Sequence, residues 1–170
     1  GRFNEPIGVC EDAAGSLYVA DNVNRRVQKF AANGTFIKSW SLSTADNRRP
    51  RRIVAHENLI YIGEDGDAQD VTGITVYNTE GVEQSRITSF MRGGTTWKIL
   101  RVRALAFNSP GQMYLGCYAH DGSNEAYKSF RFNEGDTNTA AADGTFSSHS
   151  SSDYGFEPVN NRMVYYSRPD

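Results

Sequence analysis

The chain has 170 residues, the length of one ordinary domain, and a net charge of −2 from 18 basic and 20 acidic residues. It carries 11 Val and 8 Ile against 6 Leu, with 16 Gly, 9 Tyr and 9 Phe, a mixture that favours strands and turns over helices. The near balance of charge excludes a global polycation and argues against disorder, and no apolar run approaches the roughly 18 residues of a membrane span.

In chain order the apolar runs repeat. Pro6-Ile7-Gly8-Val9 is followed by Leu17-Tyr18-Val19-Ala20-Asp21, then Arg26-Val27-Gln28-Lys29-Phe30, then Asn33-Gly34-Thr35-Phe36. The same order returns in Pro50-Arg51-Arg52-Ile53, Leu59-Ile60-Tyr61-Ile62-Gly63-Glu64, Gly73-Ile74-Thr75-Val76-Tyr77 and Glu80-Gly81-Val82. Pro6 to Pro50 is 44 residues, Tyr18 to Tyr61 is 43, and Gly34 to Gly81 is 47. A third copy runs through Ala104-Leu105-Ala106-Phe107, Gln112-Met113-Tyr114-Leu115-Gly116 and Tyr127 to Phe132. It closes on Ala141-Ala142-Asp143-Gly144-Thr145-Phe146, an echo of Ala31-Ala32-Asn33-Gly34-Thr35-Phe36. A fourth begins at Phe156-Glu157-Pro158 and reaches Met163-Val164-Tyr165-Tyr166.

Gly15-Ser16, Asn33-Gly34, Pro110-Gly111, Asp143-Gly144 and Asn160-Asn161 fill the gaps. Asn-Gly is the preferred pair of a two-residue type I′ hairpin, which is also the plainer reading of the single sequon Asn33-Gly34-Thr35. Four short antiparallel strands per unit of about 45 residues is the arithmetic of a β-propeller blade. The expected fold is therefore all-β, a β-propeller of four-stranded antiparallel blades with about three and a half blades present. The divisions fall at residues 1–45, 46–92, 93–150 and, for the half blade, 151–170. A closed ring of six such blades needs roughly 250 residues or more. The count predicts a piece of a longer protein, or a half-ring completed by another chain.

Pro6-x-Gly8-Val9, Leu17 to Asp21, Asn24-x-Arg26-Val27-Gln28-Lys29-Phe30 and Asn33-Gly34-Thr35-Phe36 together resemble an NHL repeat. The second copy lacks the Asn-x-Arg element and carries an acidic loop, and the third has an insertion around Asn133 to Thr139. The resemblance implies a propeller, usually of six blades. It also implies a binding platform for protein or RNA, or an extracellular sensor or scaffold. One branch is similar to peptidylglycine amidating lyases, whose histidine, tyrosine and arginine set cannot be matched to residues of this chain. An extracellular or cell-surface location follows from the same likeness. The motif residues are mainly architectural, so the likeness speaks for fold more than for function.

Asp21 and Arg26 have two readings. Asp21 at a strand exit toward the channel could hold a ligand or metal. The plainer reading is a charge-assisted Asp21–Arg26 bond that pins the loop between the second and third strands. The stretch Glu64 to Asp70 sets Glu64, Asp65, Asp67 and Asp70 within seven residues. That is hard-oxygen chemistry suited to calcium, although the spacing misses the EF-hand pattern, and a solvated loop is the alternative. Arg48, Arg49, Arg51 and Arg52 form the densest charge in the chain, expected in the connection between two blades. They could bind phosphates, with Arg25, Arg26, Arg101 and Arg103 extending the patch, or they could pair with acidic neighbours.

Cys10 and Cys117 fit no zinc or redox spacing and read as buried thiols, with a disulfide unsupported. His56, His120 and His149 are not expected to converge, and no G-x-S-x-G elbow or P-loop is present. The reading that results is a non-enzymatic module for protein interaction or scaffolding, with no dedicated cofactor. Its partner would be a protein, or another copy or segment that completes the ring. The alternatives are a metal-dependent lyase or hydrolase with a channel site, and an RNA or polyanion platform that uses the Arg48 to Arg52 run.

Overall fold

The computed structural model describes residues 1–42, 47–66, 72–92, 94–108 and 111–132, together with the strand backbones of 144–149, 154–159 and 162–167. Every regular element among these residues is a strand. Strands β1 (Pro6–Glu11), β2 (Leu17–Asp21), β3 (Arg26–Phe30) and β4 (Phe36–Ser41) form an antiparallel sheet in sequence order. Strands β5 (Arg49–His56), β6 (Leu59–Asp65), β7 (Ile74–Asn78) and β8 (Glu83–Ile87) repeat that order. The third unit comprises β10 (Thr95–Phe107), β11 (Met113–His120), β12 (Glu125–Phe132) and β13 (Gly144–His149), preceded by β9 (Ser89–Arg92) paired to β10. A final pair, β14 (Tyr154–Val159) and β15 (Arg162–Ser167), follows. The first strands of successive units run side by side, β1 by β5, β5 by β10 and β10 by β14. The fold is all-β, a partial β-propeller of four-stranded antiparallel blades.

Packing follows from the two-residue period of a strand. Along β6, Ile60 and Ile62 are fully buried against Tyr18, Ala20, Val27 and Leu42 of the first blade. The alternate residue Tyr61 joins a larger core with Val102, Leu105, Met113, Leu115, Cys117 and Phe130 of the third. Strand β7 divides the same way, Tyr77 toward the first blade, Ile74 and Val76 toward the third. On β6 the next residue facing the third blade is Gly63. A Cβ there would stand 2.9 Å from the Val102 Cβ, closer than van der Waals contact, so only glycine lets these blades approach this far.

Three local expectations give way. The Asn33-Gly34 turn is not type I′, because φ is positive at Gly34 (83°) alone and not at Asn33. The Gly34 amide donates to Ala31 O at 2.8 Å and Ala31 N donates to Thr35 O at 2.8 Å, a type I turn followed by a left-handed glycine. The same bond pattern closes the turns at 12–16, 78–82 and 108–112. The basic run does not lie in the connection: Arg49, Arg51 and Arg52 stand in β5, the innermost strand of its blade. Finally, the third copy exceeds the expected four strands, because β9 forms a hairpin with the start of β10. It places Phe90 in the core, with ring centroids 4.2 Å from Phe130 and 5.5 Å from Phe132.

Phe90→Ala is expected to cost about 3–5 kcal/mol of unfolding free energy in urea titration, because Phe90 is only 1% exposed. Gly63→Ala adds one carbon yet should cost about 1–3 kcal/mol, since Val102 sits on backbone paired to β11 and cannot step aside freely.

Candidate functional site

One position toward the end of each blade's second strand is equivalent in all three. Register makes the equivalence explicit. Val19 pairs with Gln28, Ile62 with Thr75 and Leu115 with Phe130. Two residues further along stand Asp21, Glu64 and Cys117.

Asp21 is fully buried and takes donors from Asn4 N (2.7 Å), Asn24 Nδ2 (2.8 Å), Arg26 Nε (2.8 Å) and Gln28 Nε2 (3.4 Å). Asn24 and Arg26 also donate to Arg2 O, so this cluster ties down the segment that leads into β1. Oδ1 accepts from the Asn4 amide and Oδ2 from the three side chains, so both carboxylate oxygens are engaged within the chain.

Glu64 has the same place in the second blade and is equally buried. The Arg26 position is taken by Gly73, and the guanidiniums come from elsewhere: Arg48 Nη1 at 3.1 Å and Arg86 Nη2 at 3.3 Å. The Thr75 hydroxyl donates to Glu64 Oε1 at 2.6 Å and accepts from Arg48 at 3.3 Å. The third blade drops the polar arrangement altogether, with Cys117 buried in the apolar core beside Phe130.

The residue after Glu64 turns to the other side. Asp65 lies 3.3 Å from Arg51 Nη1, 3.6 Å from Arg103 Nη1 and 3.7 Å from Arg101 Nε. Arg101 is also the one residue of β10 paired to β6, opposite Asp65 itself. Around this group lies a cleft of about 400 Å³ lined by Glu5, Asn22, Asn47, Arg49, Arg51, Asp65, Gly66 and Arg101. It sits on the face where β1 and β5 begin and β2 and β6 end. Arg49 is exposed there and, among the described residues, makes no ion pair. The lining holds three guanidiniums and two carboxylates, so the cleft is cationic and suits an anionic group.

The four arginines expected to act together are thus divided. Arg48 is buried with Glu64 because that carboxylate needs a counter-ion, and Arg52 donates to the backbone oxygens of Arg103 (2.7 Å) and Arg51 (3.0 Å). Only Arg49 and Arg51 reach the cleft, joined there by Arg101. Likewise Glu64 and Asp65 are not solvated loop carboxylates but the end of β6, each held by arginines that would repel a divalent cation. Asp67 and Asp70 lie outside the described residues. No group of three His, Cys, Asp or Glu among the described residues could hold a metal.

His56 stacks on Phe107 at 4.2 Å, at the far end of β5 from the cleft, whereas His120 closes the turn after β11. Cys10 and Cys117 are free thiols. Burial pushes the Cys10 thiol up to about 12, and burial raises Cys117 as well, so neither is a ready nucleophile. Sequence reasoning missed Glu5, Asn22 and Asn47 in the lining, which no charge run or motif marks, and Tyr118 and Tyr127, whose rings are 4.7 Å apart.

The two equivalent carboxylates titrate in opposite directions. Burial pushes Glu64 above the usual carboxylate range despite the Thr75 hydroxyl, Arg48 and Arg86. Burial acts upward on Asp21 too, but donors from Asn24, the Asn4 amide and Arg26, with the Arg26 charge, hold it below that range. A raised folded-state value stabilises the fold below the unfolded value of about 4.3, and that advantage is lost as pH rises through the folded value. A lowered one stabilises above the unfolded value of about 3.9 and is lost as pH falls through the folded value. In urea unfolding, the stability of the native chain relative to Glu64→Gln should fall as pH rises from about 4 to 7. Relative to Asp21→Asn it should fall as pH drops below about 4.

Residues 3–30 match the family model described as NHL repeat. No curated protein matches the chain. Among solved structures, a protein of unknown function from Bacteroides caccae is similar at 10% identity and a TM-score of 0.46. The match covers 85% of this chain and 60% of that one, so the chain spans less than two thirds of its solved relative. Asp21, Asn24, Arg26 and Gln28 of the first blade fall inside the segment that matches the NHL repeat model.

Proposed function

We propose that the chain is a non-enzymatic interaction module whose working surface is the cationic cleft at Arg49, Arg51 and Arg101, and whose partner is a protein that presents a carboxylate. The single observation that supports this reading is the uncommitted charge at that cleft. Arg49 has no counter-ion among the described residues, and one aspartate serves three guanidiniums. The buried ion pairs elsewhere use up their charges internally. Among the described residues, burial holds the Cys10 and Cys117 thiols protonated, His56 stacks on Phe107 and His120 accepts from Gly122 N, and the cleft lining contains neither His nor Cys.

A second reading draws on the same arginines. Guanidinium forks match phosphate as well as carboxylate, so a polyanion platform for RNA would use this face. The two separate by salt dependence. Neutralising many phosphates gives a steep fall of affinity with salt, whereas one carboxylate gives a shallow one.

Titration with a short fluorescent peptide that carries a single glutamate and with a short single-stranded RNA checks the proposal. The peptide should bind with a shallow salt dependence, and Arg49→Glu should weaken it about tenfold at low ionic strength while leaving thermal unfolding unchanged. Tighter binding of the RNA with a steep salt slope would replace the protein-partner reading.

A further inference from the structure

A second cleft, of about 310 Å³, adjoins the first and is lined by Leu100, Arg101, Tyr118, Glu125 and Tyr127. Arg101 belongs to both. Its chemistry differs from that of its neighbour. Tyr118 and Tyr127 set their rings at 46° with centroids 4.7 Å apart, and Leu100 adds an aliphatic wall. The Tyr118 hydroxyl donates to Glu125 Oε2 at 2.6 Å, which restrains the ring and occupies its polar end. Among the described residues the Arg101 guanidinium is held by the 3.7 Å approach to Asp65, and about a third of the side chain is exposed.

Resting on the interaction module proposed above, we infer that the partner is an extended peptide segment in which an acidic residue stands next to an aromatic one. The acidic side chain enters the Arg49–Arg51–Arg101 cleft, and the aromatic side chain lies on the Tyr118–Tyr127 shelf. Three observations converge. The two clefts share Arg101, so side chains close together on one extended peptide segment can reach both. The first cleft is cationic and the second offers two rings with a guanidinium beside them, which suits an aromatic side chain through ring–ring and cation–π contact. A polyphosphate strand crossing both clefts would meet Glu5, Asp65 and Glu125, whereas a peptide brings one negative charge and places it in the first cleft alone.

Fluorescence anisotropy with three capped, labelled peptides tests this, their centres being Phe-Asp-Phe, Ala-Asp-Ala and Phe-Asn-Phe. Phe-Asp-Phe should bind about tenfold more tightly than either of the others. Tyr127→Ser should remove the gain from phenylalanine, Tyr127→Phe should keep it, and Arg49→Ala should weaken both aspartate peptides by a similar factor. Equal binding of Phe-Asp-Phe and Ala-Asp-Ala to the unsubstituted chain would overturn the inference and leave the carboxylate-binding module standing. So would a phenylalanine gain that survives in Tyr127→Ser. Failure of all three peptides beside tight binding of single-stranded RNA would overturn the module as well. The comparison on the unsubstituted chain decides even if the serine variant does not fold.

Discussion

A strand in the middle of a stacked blade has no solvent side, so each residue it carries must be satisfied by one neighbour or the other. Strand β6 shows what this costs. Ile60 and Ile62 turn to the first blade, and Tyr61 and Gly63 turn to the third. The same alternation then forces Glu64 toward the first blade, where it is fully buried. An ionised carboxylate in that position is tolerable only with counter-charge and hydrogen bonds. Strand β7 offers Thr75 but no cation, since Gly73 stands where β3 has Arg26. Arg48 and Arg86 supply it from the connection before β5 and from β8. Blade packing thus dictates where an arginine of the basic run must go.

The cleft follows from the next step of the alternation. Asp65 faces away from Glu64 and toward β10, which pairs with β6 at that one position. Here one carboxylate meets three guanidiniums, with Arg103 nearly buried and Arg51 and Arg101 about one third exposed. The backbone that carries the positive excess is thus paired strand rather than loop, and Arg51 and Arg101 are restrained by Asp65 before any ligand arrives. Such preorganisation lowers the ordering cost that flexible surface arginines would incur on binding.

The repeat, its period and the four-strand plan were legible because each rests on local pattern: apolar alternation, glycines at hairpins, tyrosines about 43 residues apart. The side chain of Arg48 was not legible. Four arginines within five residues suggest a solvated patch, and nothing local says that the first of them has a buried partner sixteen positions on. The same holds for Glu64, whose acidic surroundings in sequence suggest a loop although its register places it in a strand. The β9–β10 hairpin escaped for a different reason. Thr95 to Phe107 begins with polar residues, and its apolar stripe emerges only where two bulges bend β10 along β11.

The equivalent positions Asp21, Glu64 and Cys117 show that the blades are not interchangeable. At Asp21 the carboxylate secures the segment leading into its own blade, at Glu64 it ties the connection before β5 to β7 and β8 of its own blade, and at Cys117 an apolar contact replaces it. The second and third blades consequently share the larger core and a strand pairing, and form one continuous sheet. The first is joined to them by the smaller core and by polar contacts, among them Asn22 to Pro50 O at 2.8 Å and Lys29 to Thr79 O at 3.0 Å. The cleft spans that softer boundary, with Glu5 and Asn22 on one bank and Arg49, Arg51, Asp65 and Arg101 on the other. A ligand gripped by the arginines would therefore bear on the joint where the blades are fastened least by apolar packing. The single stretch from Arg49 to Arg51 serves both, since Arg49 and Arg51 line the cleft while Pro50 O accepts from Asn22 across the boundary.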